Sequence, residues 1–163
     1  MQERWNANMK VVIVGGVAGG ATAAARIRRL NEQAEIVVFE RSGYISYANC
    51  GLPYYIGDAI TDPEELTLQT PESFFSRFRI MMKVLHEVTA IHHDRKTVSV
   101  RNLKTGEEFE EGYDKLILSP GAKPTQPKLS GMEADKLFTL RTVEDTFKIK
   151  AYINNNHPKS AVI

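Results

Sequence analysis

The chain has 163 residues, enough for one domain with a hydrophobic core, and its 42% apolar and 25% charged residues are those of an ordinary globular protein. Lys and Arg number 21 against 20 Asp and Glu, so charge gives no pull toward nucleic acid or an anionic membrane. No apolar run can span a bilayer, the opening MQERWNAN lacks the apolar segment of a secretory signal, and a lone cysteine excludes an internal disulfide. A reducing, cytoplasmic setting is expected.

Residues 1–8 read as a loose leader, with Met9 an alternative start. Lys10–Val14 (KVVIV) is a β-branched run without polar alternation, the pattern of a strand buried in a parallel sheet. It runs into GGVAGG (15–20) and then ATAAARIRRL, rich in helix formers, where Ala23, Ile27 and Leu30 share one face suited to a sheet. Glu35–Glu40 (EIVVFE) reads as a second buried strand. Strand, glycine turn, helix and strand within about 30 residues make a βαβ unit.

TPESFFSRF predicts a helix with Thr70 as N-cap and Pro71 at its first position. From Met82 to Ser119 the period falls to two, and VTAIHH, KTVSV and EEFEE are separated by turn-like stretches. That pattern predicts an antiparallel β-meander, followed by KLILSPGAKP, a buried strand ending in a Pro/Gly turn. RTVEDTFKIKAYI predicts an amphipathic helix capped by Thr142, and the closing KSAVI looks like KVVIV starting again. No repeat or low-complexity tract interrupts this order.

The glycine turn matches a dinucleotide-binding fingerprint with one departure. Gly15 and Gly20 take the first and third glycine positions, and Val17 stands at the second. The first glycine permits the tight turn, and the third lets helix and strand pack closely. The helix N-terminus then offers free N–H groups and a positive dipole to a pyrophosphate. Glu40, about 20 residues beyond Gly20, sits where a carboxylate accepts hydrogen bonds from a ribose diol and repels a 2′-phosphate, which favours FAD or NAD over NADP.

Cys50 precedes GLPYYIG, which reads as a short helix with Pro53 in its first turn. A thiol at a helix N-terminus is favoured as thiolate, whereas a lone cysteine is also commonly a small buried hydrophobe; the local sequence leaves both readings open. Thr22, Arg26 and Arg29, spaced i, i+4, i+7, form one stripe on the first helix. Such a stripe is either a solvated basic face or the bed of a phosphate-rich ligand. His86, His92, His93 and His157 have no metal-ligand spacing with the cysteine, so no metal site is expected.

VVIVGGVAGGATAAARIRRL, SYANCGLPYYIGD, LQTPESF and YDKLILSPGAKP together closely resemble the coenzyme A-disulfide reductase branch of the FAD-dependent pyridine nucleotide-disulfide oxidoreductases. The resemblance runs from about Met9 onward, and its Ser-aromatic-x-x-Cys motif is the most specific part. It implies an α/β, Rossmann-like FAD-binding domain, a parallel sheet plus the antiparallel meander, present here incompletely. It implies that Cys50 is the single redox-active cysteine. Gly15, Val17, Ala18, Gly19, Gly20, Glu40, Arg41, Asn49, Val88, Ser119, Pro120 and Gly121 would hold FAD, and Thr22, Arg29, Ser46 and Asn49 would contact coenzyme A. Arg26 stands where a Gln can occur and is a further phosphate contact in this reading.

Two departures bear on the subtype. Oxidases and peroxidases of the wider family carry a catalytic His where Ala18 stands, so its absence favours the disulfide reductase branch. A further basic coenzyme A contact aligns with Phe78, which leaves Arg77 or Arg79 to replace it. LQTPESF also resembles members with an additional rhodanese domain that act on persulfides or polysulfides.

The implied chemistry is a relay from NAD(P)H through FAD to a mixed disulfide between Cys50 and coenzyme A. The resemblance further implies residues 1–8 as leader, 9–156 as the N-terminal part of the FAD domain, and 157–163 as the start of an NAD(P)H-binding domain. On that reading the fragment alone does not turn over with NAD(P)H and binds FAD weakly. The full-length protein would be a cytoplasmic homodimer acting on a coenzyme A disulfide, persulfide or polysulfide, with no nucleic-acid or membrane partner. The alternatives are an NADH oxidase-type flavoprotein, a nicotinamide-binding Rossmann domain in which Cys50 is structural, and a fold fragment that binds little.

Overall fold

The computed structural model describes residues 8–125, 130 and 136–162, so the leader read into residues 1–8 lies, apart from Asn8, outside the described residues. In chain order the elements are β1 (Lys10–Val14), α1 (Ala18–Leu30), β2 (Glu35–Glu40), α2 (Leu52–Ile56), α3 (Pro71–Phe78), β3 (Met81–Val84), β4 (His86–His92), β5 (Thr97–Asn102), β6 (Glu108–Gly112), β7 (Lys115–Leu118) and α4 (Val143–Asn156). Short 3₁₀ turns occupy Asn49–Gly51 and Pro63–Leu66. The chain divides into two units, residues 8–47 with 67–121, and residues 48–66 with the described part of 122–163.

In the first unit a parallel sheet runs in the order β3-β2-β1-β7, and a separate antiparallel sheet in the order β4-β5-β6. The α/β class, the βαβ unit and the meander are as the sequence predicts. Alternate residues of the central strands feed two cores. Val11, Ile13, Ile36 and Val38 pack with α1, Phe74 and Ile80, while Val12, Val37 and Phe39 pack on Val98 and Val100 of β5. Both faces of β1 and β2 are therefore dry, which is why their sequences lack polar alternation. Lys10 stitches the two sheets together, with Nζ 2.7 Å from Glu35 of β2 and 2.6 Å from Glu111 of β6.

Four local expectations are corrected. The buried face of α1 is Gly20, Ala21, Ala24 and Ile27, and Leu30 is exposed, because the helix approaches the sheet along its smallest residues. Met81–Val84 is not part of the meander: it pairs in parallel with β2, from Val37↔Met81 to Glu40↔Val84. β7 is not a buried strand, since Lys115 and Leu118 are exposed. It pairs with β1 alone among the described residues, so it is an edge strand of the sheet they form. Lys159–Val162 form no strand and are exposed, with no strand beside them among the described residues to complete the ladder.

The second unit is helical. Thr142 caps α4 in a reciprocal box with Asp145, as predicted, and the Tyr55 and Phe147 rings meet edge to face at 5.7 Å. Lys150 closes the C-terminal end of α2, donating to the Ile56 carbonyl at 3.1 Å and to Asp58 at 2.6 Å. No described helix is long and apolar enough to cross a membrane.

Candidate functional site

The glycine turn follows β1 with Gly15 at φ +96°, a conformation that suits glycine. A Cβ on Gly15 would collide with the Ser119 carbonyl after β7, and one on Gly20 with the Gly15 carbonyl. The two glycines thus do what the fingerprint assigns them, one in the turn and one where helix meets strand. Val17 is the N-cap of α1, and no side chain caps that helix. Ala18 and Gly19 at its start are exposed, so the N-terminal N–H groups of α1 are open to an anion.

Glu40 ends β2 beside this turn. One carboxylate oxygen accepts the Gly16 N–H at 2.7 Å and the other the Ser42 N–H at 2.8 Å. Each oxygen keeps a further acceptor site for a hydroxyl. Ser119 joins the same cluster, donating its N–H to the Val14 carbonyl at 2.7 Å, and Gly121 turns the chain away at φ +70°. Pro120 is exposed. Arg41 is exposed, 3.8 Å from Glu87. Val88 packs against the Val12–Phe39 core on β4, beside a register break between Val88 and Ala90.

A cavity of about 510 Å³ opens on the far flank of α1. Thr22, Arg29 and Ser46, the three residues of this unit assigned to coenzyme A along with Arg26, divide from it here: all three line the cavity, and Arg26 does not. Arg26 is exposed elsewhere on α1, because its side chain sits at a different angle from the cavity mouth. Ser46 is held in the left-handed region at φ +48°. Its N–H donates to the Gly16 carbonyl at 3.1 Å and its carbonyl accepts from Leu68 at 3.0 Å. Of the two arginines able to replace the missing basic contact, Arg77 lines the cavity and Arg79 does not. Arg79 instead ends α3 at φ +51°.

Two residues here escaped the sequence reading. Gln69 also lines the cavity, and its only signal is its place just before the Thr70 cap. Arg28 donates to the carbonyls of Phe78, Arg79, Asn31 and Glu32, joining the C-terminal ends of α1 and α3. Burial, then the Arg79 guanidinium, pull its pKa below the usual value, with Glu32 opposing. In sequence it is one more arginine in a basic helix.

Cys50 and Asn49 belong to the second unit. Both lie in the 3₁₀ turn Asn49–Gly51, which leads into α2 with Pro53 in its first turn. Cys50 is a free, exposed thiol, a poor match to a small buried hydrophobe. Among the described residues no group of three or more His, Cys, Asp or Glu is placed to hold a metal ion.

The sequence profile of the pyridine nucleotide-disulphide oxidoreductases matches residues 9–163. The chain belongs to that family. This oxidoreductase family member is 49% identical over 154 residues to a coenzyme A disulfide reductase of Staphylococcus aureus strain RF122, covering 94% of this chain and 34% of that protein. Its fold superposes on reduced CoADR-RHD of Bacillus anthracis with a TM-score of 0.93 and 53% identity, over 96% of this chain and 28% of that one. A NAD-dependent persulfide reductase from A. fulgidus gives 0.85 and 34%, over 91% and 28%. The chain spans about a third of the length of the curated relatives it matches.

Proposed function

We propose that this chain is the FAD- and coenzyme A-binding part of a single-cysteine flavoprotein that reduces coenzyme A disulfide, or a related persulfide or polysulfide, with NAD(P)H. What carries the reading is the convergence of Thr22 and Arg29 of α1 with Ser46, from the loop after β2, on one cavity. The exposed Cys50 lies four residues beyond Ser46 in the chain. The names of the relatives point the same way.

The residues at the glycine turn suit a dinucleotide: the Gly15 and Gly20 positions leave no room for a Cβ, and the N-terminus of α1 has no side-chain cap. FAD, when bound, supplies two-electron transfer between NAD(P)H and sulfur. Gly19 and Gly20 would offer backbone N–H groups to its pyrophosphate, and Glu40 would accept from its ribose hydroxyls. Ser119–Gly121 and Arg41 would border the same ligand.

On the substrate side, the Cys50 thiolate attacks one sulfur of the disulfide. A Cys50–sulfur bond forms, the original S–S bond breaks, and the departing sulfur leaves as a thiolate. Two electrons from NAD(P)H return Cys50 to the thiolate and release the second thiol. The test is made on the natural protein that carries these residues. Cys50→Ser is expected to keep its flavin absorbance and lose NAD(P)H-dependent reduction of coenzyme A disulfide; retained turnover in that variant overturns the reading.

A further inference from the structure

Cys50 lies exposed in the 3₁₀ turn Asn49–Gly51, and that turn runs straight into α2. An exposed side chain is not fixed by packing, so the thiol takes its place from the turn and the helix behind it. α2 has five residues, no side-chain N-cap and a proline in its first turn. So short a helix is unstable on its own hydrogen bonds and depends on tertiary contacts. Leu52 at its start is buried, and Tyr55 meets the Phe147 ring of α4 edge to face at 5.7 Å. At its end Pro53 accepts from the Gly57 N–H at 3.0 Å, Tyr54 from Ala59 at 2.9 Å and Tyr55 from Asp58 at 3.3 Å. The Ile56 carbonyl takes its donor from Lys150 of α4, 94 positions along the chain, at 3.1 Å. The same ammonium lies 2.6 Å from the carboxylate of Asp58, a residue held in the left-handed region at φ +60°. The Lys150 side chain is 13% exposed and that of Asp58 74%, so the lysine is the packed member of the pair. Its charge also faces the negative end of α2.

We infer that Lys150 is a positioning residue for Cys50: by holding the C-terminal end of α2 to α4, it fixes the turn that presents the thiol to a disulfide sulfur. The inference rests on the proposed role of Cys50 as the attacking thiol, and it adds a residue that acts on the reaction only through α2. Attack on sulfur needs a near-attack geometry, and a misplacement of about 1 Å costs up to about a hundredfold in rate. Losing the Lys150 ammonium frees the Ile56 carbonyl and Asp58 together, so α2 frays and the turn before it loosens. The consequence falls on the sulfur step and not on hydride delivery to the flavin.

Rapid mixing of the flavin-loaded natural protein separates its two half-reactions. In Lys150→Met, which keeps the stem and removes the ammonium, oxidation of the reduced protein by coenzyme A disulfide should slow at least about tenfold, while flavin reduction by NAD(P)H stays within about twofold of wild type. Lys150→Arg, which restores charge and donors, recovers most of the rate. Asp58→Asn, which loosens the same lysine, gives a smaller loss in the same half-reaction. Hydrogen exchange over residues 51–57 should quicken at least about tenfold in Lys150→Met, with exchange in β1 unchanged. An unchanged oxidation rate, an equal slowing of both half-reactions, or unchanged exchange over residues 51–57 overturns the inference. A protein inert toward coenzyme A disulfide refutes the reductase reading instead. There, faster exchange over residues 51–57 that Lys150→Arg reverses supports the anchor, and unchanged exchange overturns it.

Discussion

Arg28 donates from Nε to the Phe78 carbonyl at 2.8 Å, so one side chain of α1 finishes the last turn of α3. The same guanidinium reaches the Arg79 carbonyl at 3.0 Å and the Glu32 carbonyl at 2.6 Å. With Asn31, four carbonyls at or just past the two helix ends thereby find a donor, and a cation sits at two negative dipole ends. Arg28→Ala should cost about 2 kcal/mol of stability, the scale of charged hydrogen bonds left unmade. Chemical denaturation of the two forms measures the difference, and a loss below about 0.5 kcal/mol would mean water replaces the guanidinium freely.

Lys10 gives the alkaline limb of stability. Burial works to lower its pKa, but hydrogen bonds to Glu111 and Glu35, with their charges, outweigh it and hold the ammonium above its usual value. A raised folded-state pKa contributes stability that is complete below the unfolded value of 10.5 and disappears as pH rises through the folded value. Wild type should therefore lose its advantage over Lys10→Met as pH rises from the unfolded value of 10.5 through the raised folded value. Urea titrations across that window report it, and a constant difference would contradict the assignment.

Two glycines with positive φ should respond differently to the same change. Gly15→Ala meets both a left-handed backbone and the Ser119 carbonyl, whereas Gly106, at φ +78°, has nothing within 4 Å of where a methyl group would sit. We expect Gly106→Ala to cost about 1 kcal/mol from backbone strain alone. Gly15→Ala should cost at least about 3 kcal/mol and abolish dinucleotide binding. Thermal melts and flavin titration separate the two.

Glu40→Gln keeps the shape of the side chain and loses one acceptor. One of the N–H groups of Gly16 and Ser42 then faces an amide donor. The expected cost is about 1–2 kcal/mol in stability, with FAD affinity falling by about tenfold as a ribose acceptor is lost. Fluorescence titration with FAD reads the second effect; unchanged affinity would remove Glu40 from the ligand.

Much of this was legible in the sequence because the signals are local. The β-branched runs, the glycine spacing, and the Thr70 and Thr142 caps each fix a turn or a strand from a few neighbouring residues. The errors arose where position depends on something far along the chain. Met81–Val84 has the composition of a meander strand, and only its partner β2 makes it parallel. Leu30 is apolar at helical spacing, yet the sheet meets the smaller Ala21 and Ala24. Beyond these errors, Arg26, Arg29 and Arg77 are alike as letters, and only the fold shows that Arg29 and Arg77 line one cavity. Arg28 was invisible for the same reason: its partners at the end of α3 lie about fifty residues away.

The doubly covered sheet also sets an order of events during synthesis. Val12, Val37 and Phe39 are made early, but the residues that cover them, Val98 and Val100, come roughly sixty or more positions later. While the chain emerges from the ribosome, that apolar face stays wet, and β1 lacks its β7 neighbour longer still. The nascent βαβ unit is thus a sticky intermediate for much of its translation, one whose yield in cells should depend on chaperones as strongly as on the stability of the finished fold.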